Sequence, residues 1–129
     1  MFKRFDFIVS PDFSLYYDFP VSLQIFNKFR NHWLSAYYSV YDVTVIPNVS
    51  VSLPDCWDWS FLGYPKNSVL AFSDIGSMSS KSERDIVYSA YNEMIKRLEP
   101  IQIIYFTRSD LKYAPKECNV VQLPYIKGV

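Results

Sequence analysis

Carboxylates and other hydrogen-bonding side chains follow the apolar runs of this sequence, where strands of a parallel sheet would end. Asp12 and Asp74 could hold a metal ion or exchange protons as a pair, if adjacent strands bring them together. Asn48, Ser73 and Arg108 add groups that could bind a small ligand. Ligands of open parallel sheets lie outside the carboxyl ends of the strands, so these residues predict a small-ligand or phosphoester-processing site. A structural role is the favoured alternative, because loops at strand ends are polar wherever they meet water.

The loop Ser73–Ser80 (SDIGSMSS) leads from a predicted strand into a predicted helix. Free amides and the dipole of a helix N-terminus could hold a phosphate or a carboxylate there. However, the loop has neither the dinucleotide-binding glycine pattern nor the P-loop pattern, and Asp74 would repel an anion. Ordinary capping of the helix is therefore favoured over anion binding.

Other reactive side chains are few. The only histidine, His32, lies in a predicted helix without a nearby Ser, Cys or carboxylate in sequence, which favours an exposed or hydrogen-bonded role over catalysis. Cys56 and Cys118 are far apart in the chain and do not form a CxxC motif, so we predict neither a zinc site nor a disulfide. No metal or cofactor is predicted.

Aromatic residues make up 19% of the chain, more than a core of this size must hold. Tyr and Trp are enriched at protein interfaces, so this surplus is a mild indication of a partner-binding surface. The candidate partner-binding residues are Trp57, Trp59, Tyr64 and Tyr113. A homodimer would account for the surplus equally well.

The charge balance argues against several classes of partner. Thirteen basic and thirteen acidic residues cancel, which makes nucleic acid an unlikely partner and gives no attraction to an anionic membrane. No apolar run is long enough to cross a membrane, and the start MFKRFDFIVSP has too short an apolar core for a secretory signal. The expectation is a cytoplasmic protein without membrane contact.

The elements that must position these residues are clearest in Asn67–Phe106. Strands are predicted at Ser68–Phe72 and Ile101–Phe106, with a helix between them that begins at a capping box of Ser80 and Glu83 and stops before Pro100. The apolar stripe of this helix predicts its buried face. The residues of that stripe are Ile86, Val87, Ala90, Tyr91, Met94, Ile95 and Leu98.

The first half of the chain repeats this order. Strands are predicted at Phe5–Val9 and Val43–Ile46, with a helix to about Tyr38 for which Asp18 is a possible N-cap and Pro20 lies in the first turn. The predicted buried stripe of this helix is Val21, Ile25, Phe29, Trp33, Ala36 and Tyr37, and its predicted outer residues are Gln24, Asn27, Lys28, Asn31 and His32.

An irregular segment, Ser50–Tyr64, in which one helical turn is predicted, joins the two halves, and a last strand is predicted at Asn119–Leu123. The predicted fold is a single α/β domain over residues 1–129. It has a mostly parallel sheet of about five strands and two long helices in β-α-β-β-α-β-β order.

Three stretches together resemble a family of uncharacterised proteins found in bacteriophages, plasmids and other mobile elements of Gram-positive bacteria. The stretches are SPDFSLYYDFPVSLQIFNKFRNHWL, VIPNV and the segment Gly63–Leu98, which contains MIKRL. The resemblance covers about Phe5–Phe106. Family members usually carry an N-terminal extension before the SPDFS segment, whereas this chain starts almost at that segment. They also often carry a cysteine in the loop that reads SDIGSM here. An activity that depends on the extension or on the cysteine is therefore expected to be lost. The resemblance implies an α/β fold and a mobile-element origin, without a known reaction.

The leading hypothesis is a phage or mobile-element protein that binds another macromolecule and inhibits a host or defence factor, rather than an enzyme. It depends on the neutral charge, the surplus of aromatic residues, the lack of a catalytic constellation and the resemblance. The alternative is an enzyme or binding protein for a small ligand or phosphoester, with its site at Asp12, Asn48, Asp74 and Arg108.

Overall fold

Among the described residues, five strands and two long helices follow one another in the predicted β-α-β-β-α-β-β order, which confirms the α/β class. A computed structural model describes residues 5–76, 79–108 and 119–124. The chain divides into two compact units, Met1–Tyr64 (the N-terminal unit) and Pro65–Val129 (the C-terminal unit). Within these ranges all strand pairs are parallel, but they form one two-stranded sheet and one three-stranded sheet rather than the one sheet of about five strands that was predicted. The single domain over residues 1–129 stays a prediction.

The N-terminal unit is built on a βαβ crossover. Strand β1 (Phe7–Val9) pairs in parallel with β2 (Thr44–Ile46), and helix α1 (Val21–Ser39) connects them. The amide of Ser10 donates to the carbonyl of Ile46 at 2.9 Å and carries the pairing one residue beyond β1. The carboxyl ends of both strands therefore lie at one edge of this sheet.

The predicted buried face of α1 is wrong. The apolar residues of the predicted stripe are exposed, Phe29 to 58% and Trp33 to 54%, whereas the buried residues of the helix are Gln24, Asn27, Lys28 and Asn31. The same holds for the other members of the predicted stripe, which are Val21, Ile25, Ala36 and Tyr37. The helix has two faces of the expected width, but the polar face is the one turned inward.

The hydrogen bonds of α1 give the physical reason. The residues between β1 and α1 form neither helix nor strand, so their backbone groups lack regular partners. Asn31 Oδ1 accepts from the amide of Phe13 at 2.7 Å, and Asn31 Nδ2 donates to its carbonyl at 3.3 Å. Asn27 Nδ2 donates to the carbonyl of Ser14 at 3.0 Å. The inward polar side chains thus satisfy buried backbone groups that apolar side chains could not.

Asp18 does not cap α1. Pro20 occupies the N-cap position, and its carbonyl accepts from the amides of Leu23 at 2.9 Å and Gln24 at 3.1 Å. Gln24 Nε2 reaches back to the carbonyl of Phe19 at 2.8 Å. Pro20 was predicted in the first turn, but it lies one residue before it, and the helix begins directly after this residue whose φ is already fixed.

The irregular segment contains one 3₁₀ turn, Pro54–Cys56, followed directly by the one-turn helix α2 (Trp57–Ser60). Gly63 follows with a φ of 82°, a left-handed conformation that a residue without a Cβ adopts without strain. The segment thus contains two short helical turns, where the sequence predicts one.

The C-terminal unit confirms the predicted central motif. Strands β3 (Val69–Ser73), β4 (Gln102–Thr107) and β5 (Asn119–Pro124) pair in parallel in that order, and helix α3 (Lys81–Leu98) joins β3 to β4. The fully buried side chains of this unit come from the strands and from the inner face of α3. They include Leu70, Tyr91, Met94 and Ile103.

Both ends of α3 follow the sequence signals. Ser80 Oγ accepts from the amide of Glu83 at 3.1 Å, and the Glu83 carboxylate accepts from the amide of Ser80 at 3.0 Å. This reciprocal pair is the predicted capping box. At the other end, Glu99 adopts a left-handed conformation with a φ of 47° directly before Pro100, and the helix stops.

Candidate functional site

The carboxyl ends of β1 and β2 are tied together by side chains. Ser10, which follows β1, is buried, and its Oγ accepts from the amide of Asn48 at 2.8 Å. Asn48 follows β2 and is also buried. Its Oδ1 has no hydrogen-bond partner among the described residues. The two strand ends therefore form a fixed floor with one unsatisfied buried acceptor.

Tyr64 braces this floor. Its hydroxyl donates to the carbonyl of Asn48 at 2.9 Å and accepts from the amide of Ser50 at 3.1 Å. Burial raises the pKa of this phenol far above its ordinary range, so the hydroxyl keeps its proton. Both bonding positions of the oxygen are occupied, which makes Tyr64 a structural tie rather than an acid or a base.

Lys28 reaches this edge from α1 and is 5% exposed. Its Nζ lies 3.6 Å from the centre of the Tyr64 ring and 3.5 Å from the carbonyl oxygen of Ser50. Burial lowers the pKa of this amine to about 7, although the charge of Asp12 acts in the opposite direction. At neutral pH the amine therefore exists in comparable amounts as cation and as free base.

Asp12 lies two residues beyond Ser10, with much of its surface accessible to solvent. Its carboxyl group nevertheless has protein on several sides, and this desolvation raises its pKa. Hydrogen bonding to the side chains of Ser50 and Asn48 and the charge of Lys28 lower the pKa in part. Asp12 is thus exposed by surface area, yet its carboxyl group is poorly solvated. The loss of solvation is the main cause of its raised pKa.

His32 lies on the same side of α1 as Lys28, one turn further along. Its ring centre is 4.9 Å from that of Tyr64, and its ring atoms come within 3.2 Å of the position that a Cβ on Gly63 would occupy. Burial and the charge of Lys28 lower the pKa of His32, so the imidazole is neutral at pH 7. Its Nε2 is buried without a hydrogen-bond partner within the described part of the chain.

These residues form what we call the Lys28 cluster. Its members are Asp12, Lys28, His32, Asn48, Ser50 and Tyr64, all of the N-terminal unit. Asp12 and Asn48 are candidates that the sequence identified. Lys28 was expected on the outer face of α1, and no local sequence signal distinguishes it from an exposed lysine.

Asp74, the other predicted carboxylate, is buried at the end of β3 in the C-terminal unit. Its Oδ2 accepts from the hydroxyl of Tyr105 at 2.9 Å and from Oγ1 of Thr107 at 2.7 Å. Ser73 Oγ accepts from the amide of Ile75 at 3.2 Å, and Arg108 is exposed just after β4. The carboxyl ends of β3 and β4 are thus joined by hydrogen bonds from these side chains. The pairing of Asp74 with Asp12 stays a prediction.

Three of the four predicted partner-binding residues, Trp57, Trp59 and Tyr64, lie outside the main exposed aromatic surface. Trp57 and Trp59 are half-buried, and Trp57 Nε1 donates to the carbonyl of Ser52 at 3.2 Å. Tyr64 belongs to the Lys28 cluster, and Tyr113 lies outside the described residues. Their role in binding a partner stays a prediction.

The exposed apolar residues concentrate on and just after α1, on a surface we call the α1 aromatic face. Along it, the rings of Trp33 and Tyr37 stack with centres 5.6 Å apart, and those of Phe26 and Phe29 stack at 6.4 Å. None of its nine members is an Asp, Glu, Lys or Arg, but the guanidinium carbon of Arg30 lies 5.2 Å from the centre of the Phe26 ring. Its nine members are Val21, Leu23, Ile25, Phe26, Phe29, Trp33, Tyr37, Val40 and Tyr41.

Two further observations concern the described residues alone. No helix among residues 5–76, 79–108 and 119–124 has the length and apolar character needed to cross a membrane. The His, Cys, Asp and Glu side chains in these ranges do not gather in groups of three or more that could hold a metal ion. Cys56 is buried with a free thiol, and Cys118 lies outside the described residues.

The fold and the cluster together define an α/β protein with polar residues gathered at the carboxyl end of a βαβ crossover. Residues 1–124 match the family model described as Domain of unknown function (DUF4417). The chain belongs to this family, which confirms the resemblance to a family of uncharacterised proteins. The occurrence of this family in mobile elements of Gram-positive bacteria stays a prediction.

Curated relatives come from bacteriophages. The chain is 30% identical to the Gene 1 protein of Mycobacterium phage D29 over 92% of its own length and 42% of that protein. It is 29% identical to the Gene 1 protein of Mycobacterium phage L5 over 97% of its own length and 52% of that protein. The chain thus spans about half the length of these relatives, and it is a phage-associated protein of unknown function. No solved structure matches it significantly.

Proposed function

We propose that this phage-associated protein acts by binding another protein through the α1 aromatic face, and that the partner is a host or defence protein in the cytoplasm of the infected cell. One observation carries the proposal: a long helix turns its polar side inward and leaves seven large apolar side chains exposed, and Val40 and Tyr41 just after it bring the number to nine. Contiguous exposed apolar patches of this kind mark interaction sites in soluble proteins.

The size of the face fits a specific interface. Large aromatic side chains carry about 150–250 Å² each, so residues that are about half exposed leave on the order of 100 Å² apiece. The nine residues together leave on the order of 800 Å². This is close to the area of about 800 Å² that each partner contributes to a standard protein interface.

The chemistry of the face limits the kind of partner. Because its nine members carry no charge, the complementary surface should be apolar and uncharged, such as a hydrophobic groove or the apolar stripe of a helix. Stacked aromatic residues supply large contact area at small cost in conformational entropy, which is typical of binding hot spots. Affinity should therefore change little with salt, unlike binding to nucleic acid.

The test is a capture experiment with matched surface variants. Wild type, Phe29→Glu and the control Asn92→Glu are tagged and used to retain proteins from lysate of a host bacterium. Asn92 is exposed on α3, so the control adds the same charge to a helix surface outside the α1 aromatic face. Any retained protein is then purified and mixed with each variant, and light scattering gives the stoichiometry of the complex.

A protein that binds wild type and Asn92→Glu in a defined stoichiometry, but not Phe29→Glu, supports the proposal. Equal binding by Phe29→Glu contradicts the assignment to this face. If wild type alone is a dimer and Phe29→Glu is a monomer, the face is covered by a second copy of the chain. That result contradicts the proposal of a host or defence partner.

A further inference from the structure

We propose that Lys28 is the nucleophilic amine of a site for small neutral carbonyl compounds, located where β1 and β2 end, and that Asp12 is its proton donor. This site goes beyond the proposed binding function and uses no residue of the α1 aromatic face. It lies at the edge of a βαβ crossover where ligands of parallel α/β proteins bind. Failure of either proposal leaves the other intact.

The contacts of Lys28 leave most of its hydrogen-bonding capacity unused. A lysine amine carries up to three donors, but with the described residues Lys28 forms one hydrogen bond, a long contact of 3.5 Å to the carbonyl of Ser50. The charges of Lys28 and Asp12 attract each other. The salt bridges among the described residues do not include a direct one between these two side chains. A ligand oxygen between them could accept from Lys28 and interact with Asp12.

A structural role alone explains this arrangement poorly. Burying an amine without a bonded counter-charge is costly, and an apolar side chain of similar length would fill the same space without that cost. Ser10 already joins the two strand ends, and Tyr64 holds the segment after β2 at Asn48 and Ser50, both without help from Lys28. A buried amine with free donors, next to an accessible carboxyl group, is instead the arrangement that nucleophilic lysines need.

The surrounding charges select the ligand class. An anionic ligand such as a phosphoester would be repelled by the ionised form of Asp12, the residue of the cluster that is open to solvent. A neutral aldehyde or ketone has no such penalty, and its carbonyl carbon is an electrophile for an amine. The unsatisfied Asn48 Oδ1 provides an acceptor for a hydroxyl group on the same ligand.

The chemical step is formation of an imine. The lone pair of the Lys28 amine forms a bond to the carbonyl carbon, and an amine proton passes to the carbonyl oxygen, which gives a carbinolamine. The protonated Asp12 carboxyl donates its proton to the carbinolamine hydroxyl, the carbon–oxygen bond breaks and water leaves. The nitrogen lone pair completes a protonated imine beside the Asp12 carboxylate. One water molecule is released, and no oxidant or reductant is needed.

The proton affinities of both groups favour this step. A pKa of about 7 leaves Lys28 with about a thousandfold more free amine at pH 7 than a lysine with the ordinary pKa of about 10.4. The raised pKa of Asp12 keeps more of its carboxyl group protonated near neutrality than an ordinary aspartate. His32 and Tyr64 also face Lys28, and neither carries a charge at pH 7.

The test is reductive trapping of the intact protein. Wild type is treated with acetaldehyde and sodium cyanoborohydride at pH 7, and peptide mapping by mass spectrometry follows alkylation at each lysine. Lys28 has about a thousandfold more free amine than an exposed lysine, but its burial slows the approach of the aldehyde. We therefore expect Lys28 to be labelled at least about tenfold faster than exposed Lys66 and Lys96. Unfolding in urea should remove the difference. Labelling of Lys28 no faster than these two lysines overturns the proposal.

The variant Asp12→Asn tests the proton donor. Asp12 raises the pKa of Lys28, so loss of its charge alone would increase the free amine and speed labelling. If Asp12 protonates the carbinolamine, loss of the carboxyl group instead slows imine formation. Slower labelling in a folded Asp12→Asn protein, checked by circular dichroism, supports the proposal, and unchanged or faster labelling contradicts the role of Asp12.

Discussion

Replacement of Lys28 by methionine should stabilise the protein at low pH relative to wild type, by an amount that shrinks as the pH rises. Methionine fills a similar volume without a charge. In wild type, burial lowers the pKa of Lys28 from 10.5 to about 7. The folded state therefore holds the amine as a cation less readily than the unfolded state does.

The sign and size follow from proton linkage. Below pH 7 the amine is charged in both states, and the full penalty of burying the cation opposes folding. Between pH 7 and 10.5 the unfolded state binds more protons, so wild-type stability rises with pH. The lowered pKa corresponds to a penalty of about 4 kcal/mol at pH 7, which falls to about 2 kcal/mol at pH 9. The contact with Tyr64 and the hydrogen bond to Ser50 shift the absolute difference, but only weakly its slope with pH.

The assay is urea unfolding of wild type and Lys28→Met between pH 6 and pH 10, followed by circular dichroism. The difference between the two free energies of unfolding removes the contribution of groups that titrate alike in both proteins. It should change by about 2 kcal/mol between pH 7 and pH 9 in favour of wild type. The control is Lys96→Met, since the side chain of Lys96 is 78% exposed and its replacement should give no comparable slope.

A pH-independent difference between wild type and Lys28→Met would refute this reasoning. It would mean that the amine titrates alike in the folded and unfolded states, so the Lys28 environment would be as well solvated as water. A difference that grows in favour of wild type toward low pH would show that a counter-charge overcompensates the cost of burial.

Two further substitutions test individual hydrogen bonds. Tyr64→Phe keeps the ring beside Lys28 but removes the hydroxyl that joins Asn48 to Ser50, and loss of these two bonds should cost about 2 kcal/mol of unfolding free energy. Tyr37→Phe, an exposed control, should cost less than half of that, and equal losses would contradict the structural tie. Ser80→Ala removes the N-cap of α3 and should cost about 1 kcal/mol by urea unfolding, and no loss would contradict the capping box.

Local signals in the sequence were sufficient for most of the elements. Apolar runs located all five strands to within two residues at each end, because parallel strands covered on both faces need such runs. The capping box at Ser80 and the stop before Pro100 bounded α3, since both depend on residues a few positions apart. The sequence also predicted the polar residues that follow β1 and β2. Because these strands are parallel, their carboxyl ends lie at the same edge of the sheet.

The sequence by itself determined that α1 is an amphipathic helix, and the tertiary structure alone decided which face is buried. Periodicity gives two faces, but the buried face depends on the partner of the helix. Here that partner includes an irregular segment whose backbone needs Asn27 and Asn31. The same inward orientation of the polar face of α1 buries Lys28 beside Tyr64, which lies 36 positions further along the chain. The pKa of Lys28 is lowered by its surroundings, and residues distant in sequence form these surroundings.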